Sequence, residues 1–179
     1  IDYICSKGIT VALGHTGATF EMCEKAREHG ARSFTHTFNG MSGLNHREPG
    51  VAGAALYFED MYAELIGDGV HVNKVPAKIL ARAKGKDKLI LVTDSVEIKG
   101  LPYGKVETRG KVVYICEDGV GRLENGTISG SANRLNRVLR YSIEQSHIDE
   151  VTAINAATIN PCRLLGIKDL GLIRAGYIA

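Results

Sequence analysis

No two cysteines in this sequence stand close enough for a CxxC pair: Cys5, Cys23, Cys116 and Cys162 are widely spaced. That excludes a zinc-finger framework and a disulfide-dense secreted domain, and leaves reduced cytosolic thiols as the expectation. No basic run is found either. The 22 Lys and Arg nearly balance 20 Asp and Glu, for a net charge of +2, so nothing marks a binder of phosphate backbones and no nucleic-acid partner is expected. No apolar stretch approaches the roughly 20 residues that cross a bilayer. The opening IDYICSKGITVALGH lacks the charged and long apolar regions of a signal peptide. A soluble, cytoplasmic protein with no membrane partner is therefore expected. What is present is ordinary globular composition, 44% hydrophobic and 23% charged over 179 residues, enough for one buried core. The chain opens without an initiator Met and closes on GLIRAGYIA inside an apolar pattern, so a piece of a longer polypeptide is expected.

The opening residues run into a strand-like segment. Residues 9–13 (ITVAL) then form a β-branched apolar run, followed by Gly14-His15-Thr16-Gly17 and a helical pattern over residues 19–29 closed by Gly30. The same order recurs: residues 32–35 lead to His36, residues 61–67 lead to Asp68-Gly69-Val70-His71, and residues 88–93 (KLILVT) lead to Asp94. A helix over residues 75–83, with Pro76 in its first turn, lies between the last two. Near-continuous apolar strands alternating with helices indicate a parallel sheet covered on both faces. About four such units are present, where a closed barrel needs eight. The expected fold is α/β, the second half of a (β/α)8 TIM-type barrel in residues 1–165. After Asp94 the Gly-rich, alternating segment predicts a β-hairpin excursion, followed by helices over residues 134–145 and 148–157. Residues 166–179 are expected to begin a strand of a small, incomplete β-sandwich segment.

In a parallel α/β barrel the residues just past the C-terminal ends of the strands converge on one open face. Here those residues are His15, His36, His71 and Asp94. Neutral imidazoles are common zinc ligands, and a carboxylate beside a metal-bound water can take its proton and return it to a leaving amine. A single histidine after a strand is most often a hydrogen-bonding or core residue; four competent residues at one topological place favour function. His29 and His147 end helices and read as structural or solvated, and His46, in a loop beside Arg47, is not taken as a site residue.

The segments Gly14-His15-Thr16-Gly17-Ala18, Thr35-His36-Thr37-Phe38-Asn39-Gly40-Met41, Arg47-Glu48-Pro49-Gly50, Asp68-Gly69-Val70-His71-Val72, Leu91-Val92-Thr93-Asp94 and Gly126-Thr127-Ile128-Ser129-Gly130-Ser131 resemble, in order and spacing, those of N-acetylglucosamine-6-phosphate deacetylases of the amidohydrolase superfamily. The resemblance covers essentially the whole chain. It implies hydrolysis of N-acetylglucosamine 6-phosphate to glucosamine 6-phosphate and acetate, with a divalent metal, zinc first and Fe, Co or Mn as alternatives. It implies His15 and His36 as metal ligands and Asp94 as the acid/base. Asn39, Gly40, Arg47 and His71 are implied in substrate binding, Arg47 as a phosphate clamp that reaches across a dimer interface. Ala132, Asn133 and Arg134 fall in a loop near the sugar, where the family commonly has more apolar residues at the last two positions. The family's ligand glutamate and a further catalytic histidine have no counterpart here, so the chain alone is expected to be inactive.

Two alternatives stay open: a different amide hydrolase of the superfamily, which the same strand-end residues would serve, and a non-catalytic truncated module. The expected partners are an amino-sugar phosphate and a second copy of the chain, since an open half-barrel exposes strand edges that invite association.

Overall fold

The computed structural model describes residues 1–178. A short helix α1 (Asp2–Ser6) precedes β1 (Val11–Leu13), α2 (Phe20–Glu28), β2 (Ala31–Phe34), α3 (Gly50–Tyr57), β3 (Tyr62–Ile66), α4 (Lys74–Lys88) and β4 (Leu89–Val92). The four strands form one parallel sheet in the order β1-β2-β3-β4. Then come β5 (Gly104–Thr108), β6 (Lys111–Ile115), β7 (Val120–Arg122) and β8 (Ile128–Ser131), a separate antiparallel meander. Helices α5 (Leu135–Glu144), α6 (Glu150–Ala157) and α7 (Ile159–Leu165) follow.

Local chemistry sets these boundaries. The Thr19 hydroxyl accepts the Met22 N–H, Asn73 accepts the Val75 N–H, and Asp149 accepts the Thr152 N–H, capping α2, α4 and α6. Helix α4 runs on to Lys88 across a kink at Gly85 (φ 59°), further than its apolar pattern suggests.

Ala63 and Leu65 of β3, with Leu89 and Leu91 of β4, pack against Ala77 and Leu80 of α4, Val138 of α5 and Ala153 and Ala156 of α6. A second cluster joins Phe34 to Cys23, Val51, Ala54, Ala55, Phe58 and Met61 under α2 and α3. Because successive strand residues point to opposite faces, burial of Ala63 and Leu65 under the helices turns Glu64 to the other face of the sheet.

Several expectations are corrected. The opening residues form a short helix before the strand they lead into. The excursion is a four-stranded sheet over Ile98, Val113 and Ile115, larger than a hairpin. The apolar pattern does not mark helices α3 and α7: GVAGAALY is apolar on every side and is buried around Val51, Ala52, Ala54 and Ala55, so it shows no stripe. The expected C-terminal strand does not form within residues 166–178. The segment instead closes on itself through the Ile178 N–H to the Asp169 carbonyl (2.8 Å).

Candidate metal and substrate site

His15, His36 and Asp94 each follow a strand of the parallel sheet and each has a left-handed backbone, with φ of 44°, 31° and 48°. Such conformations cost non-glycine residues of order 1–3 kcal/mol and concentrate at functional sites. The imidazoles of His15 and His36 lie edge to face with centroids 4.7 Å apart. The Nδ1 of His36 is buried without a hydrogen-bond partner. Room for the pair comes from Gly40, where a Cβ would lie 2.8 Å from His15 Nδ1. Two converging imidazoles, one with an orphaned nitrogen, fit the N-donor half of a zinc-type site. Among the described residues no group of three or more metal-competent side chains is assembled.

Glu64 has no role in the sequence reading, yet its Oε2 accepts the backbone N–H of His36 (3.1 Å), and its own carbonyl accepts the Thr37 N–H. Burial raises its pKa, with the His36 N–H opposing and the charge of Asp94 adding to the rise. A charge inside the apolar strand YAELI was the available signal. Asp94 itself is exposed at the end of β4. Its backbone carbonyl accepts the Ser131 N–H (3.3 Å), which ties β8 to the same face.

His71 is held differently. Its Nδ1 lies 2.7 Å from Asp68 Oδ2, and both side chains are almost fully buried. Burial alone would raise the Asp68 carboxyl. The hydrogen bonds from the His71 ring and from the backbone N–H groups of His71 and Val70 outweigh it and hold the group below its usual range.

Asn39 uses its side-chain donors inside its own loop, on the carbonyls of His36 (3.1 Å) and Thr37 (3.3 Å). Arg47 sits in an exposed loop, where its backbone N–H reaches Asn45 Oδ1. Neighbouring Glu48 anchors that loop to the N–H groups of Phe20 and Gly50. Asn133 is buried and donates to Asp68 Oδ2 (3.1 Å). Arg134 is exposed at the start of α5. With Ala132, Tyr103 and Arg137, these two line a cavity of about 520 Å³ between the meander and α5. His15 and His36 do not line it. The structure thus brings His15, His36 and Gly40 together, and separately His71 and Asn133.

No helix among the described residues is long and apolar enough to cross a membrane. Residues 4–179 match the amidohydrolase family profile. An N-acetylglucosamine-6-phosphate deacetylase of Lysinibacillus sphaericus is 32% identical over 179 residues, which cover 100% of this chain and 46% of that protein. An N-acetylgalactosamine-6-phosphate deacetylase of Shewanella sp. is 36% identical, over 98% of this chain and 44% of its own length. The crystal structure of N-acetylglucosamine-6-phosphate deacetylase from Pasteurella multocida superposes with a TM-score of 0.92 at 32% identity, covering 100% of this chain and 47% of that one. The chain spans about half the length of these relatives.

Proposed function

Since this chain belongs to the amidohydrolase family, we propose that its full-length gene product is a metal-dependent deacetylase of N-acetylamino-sugar 6-phosphates, with N-acetylglucosamine 6-phosphate as the first candidate substrate. The observation that carries the proposal is the His15 and His36 pair, with its orphaned Nδ1, on the strand-end face that also holds Asp94. The names of the relatives supply the substrate class, and they divide between the glucosamine and galactosamine epimers.

His15 and His36 would hold the metal, with zinc preferred over iron, cobalt or manganese for an imidazole set. When bound, such an ion lowers the pKa of an attached water and stabilises an oxyanion. The exposed Asp94 carboxylate takes the proton of the attacking water and delivers it to the departing amine nitrogen. Arg47, with no internal side-chain hydrogen bond among the described residues, offers a planar fork to the phosphate, and its exposed loop suits a clamp shared across a homodimer. Remote binding of that kind positions the amide at the reacting groups. Asn39 and the Gly40 N–H are the further donors proposed for the sugar phosphate, and Ala132, Asn133 and Arg134 are proposed to border the sugar. The parallel sheet is read as half of a (β/α)8 barrel.

Catalytic zinc sites use three protein ligands, and two are proposed here. The 179 residues alone are accordingly expected to be marginally active at best, and a non-catalytic role for the isolated chain is favoured by that count. Acetate release tests the function: the metal-loaded gene product should act on N-acetylglucosamine 6-phosphate or its galactosamine epimer well above the unphosphorylated sugars. Equal rates with and without phosphate would overturn the substrate class.

A further inference from the structure

We propose that Asp68 and Asn133 form a positioning pair that fixes the tautomer of His71, keeping the proton on Nδ1 and baring Nε2 toward the site. The consequence for turnover rests on the deacetylase reading; the tautomer does not.

Four donors converge on the buried Asp68 carboxylate. Oδ1 accepts the backbone N–H groups of Val70 and His71, both at 2.9 Å. Oδ2 accepts from His71 Nδ1 at 2.7 Å and from Asn133 Nδ2 at 3.1 Å. An ionised carboxylate has about four acceptor positions and no donor, so all four are filled and the ring nitrogen facing it must carry a hydrogen. In a neutral imidazole the other nitrogen is then an acceptor. His71 Nε2 has no hydrogen-bond partner among the described residues.

Asn133 is more than a neighbour of this carboxylate. Its amide has one allowed orientation, because a flip would set Oδ1 against Asp68 Oδ2. With Nδ2 on Asp68, Oδ1 is buried without a partner and presses on Gly119, where a Cβ would stand only 2.0 Å from it. Gly119 lies in the turn between β6 and β7 at φ +84°, and its carbonyl accepts the Ala132 N–H (2.9 Å). The meander's turn, Asn133, Asp68 and His71 therefore form one continuous line of contact, from a separate sheet to an imidazole on the catalytic face. An apolar residue at 133 would fill the space but leave Oδ2 with the His71 proton alone, and the carboxylate would lose one of the four contacts that fix its orientation.

The test is long-range proton–nitrogen NMR on protein labelled with 15N-histidine, recorded at pH 8. Wild-type His71 should show a protonated Nδ1 and an unprotonated Nε2. Asn133→Leu and Asp68→Asn should both shift the ring toward a mixture of tautomers, the second by more. In the full-length gene product Asn133→Leu should lower kcat/KM about tenfold, the scale of one charge-assisted hydrogen bond. Any other protonation pattern in wild-type His71 overturns the proposal, and that spectrum decides even if a variant fails to fold. So does a folded Asn133→Leu whose ring signals match wild type. The expected tautomer in a protein that deacetylates no amino-sugar phosphate would uphold this proposal and sink the functional one.

Discussion

His15 and His36 meet edge to face with their planes at 86°, although they end different strands. The contact is held from behind: Glu64 grips the His36 N–H, and the missing side chain of Gly40 leaves space for His15. Gly40→Ala should break this arrangement, since the new methyl would meet His15 Nδ1 at 2.8 Å and the backbone there has φ +59°. Zinc affinity, measured by competition with a chromophoric chelator, should fall by about 10- to 100-fold, as for other groups that orient metal ligands. Unchanged affinity would mean that the two rings do not share a metal.

Asp94→Asn in the full-length gene product should keep metal content near wild type while kcat drops at least about 100-fold, the usual share of general acid/base catalysis. Metal analysis and steady-state kinetics on one preparation separate the outcomes. Loss of metal with no specific effect on kcat would make Asp94 a ligand instead.

Arg47→Ala should reduce kcat/KM about 10- to 100-fold for the phosphorylated substrate, as expected for losing charge-assisted hydrogen bonds, and hardly at all for the unphosphorylated sugar. The comparison requires both substrates on the same enzyme. An equal penalty on both would assign Arg47 to the fold or to subunit contacts.

Lys84 supplies a stability prediction remote from the site. Its ammonium is buried in α4 and donates to the carbonyls of Phe58 and Met61, the latter at 3.1 Å. Burial lowers its pKa from 10.5 to about 8. The unfolded chain then binds the proton more tightly than the folded one, so this group makes folding more favourable as pH rises from about 8 to 10.5. Urea midpoints across that window should show a rising contribution that Lys84→Met removes. A Lys84→Met protein with the same pH slope as wild type would contradict it.

The parallel strands were legible because β-branched runs such as ITVAL and KLILVT lead directly into histidine or aspartate. Their observed limits, Val11–Leu13 and Leu89–Val92, lie inside those runs. Helix α3 was not legible, since an element apolar on every side carries no periodic stripe. The role of Glu64 could have been suspected from its charge in an apolar strand. The hold of Asp68 and Asn133 on His71 could not: a contact between positions 65 apart leaves no local spacing to read.

Strand order carries a consequence for how the molecule is made. In both sheets each strand pairs only with the strands adjacent to it along the chain, β1 through β4 and then β5 through β8. Loop closure over such short separations is entropically mild, so each unit can dock on its predecessor as it leaves the ribosome. The hydrogen bond from Asn133 to Asp68 belongs to a later set that waits for the whole meander or for the helices after it, together with Ser142 to Gly67 and Asn160 to Leu89. An unfinished nascent chain can therefore carry paired parallel strands while one face of β3 and β4 still lacks α5 and α6 and His71 is not yet set, so the substrate side of the site matures only once the meander has been synthesised.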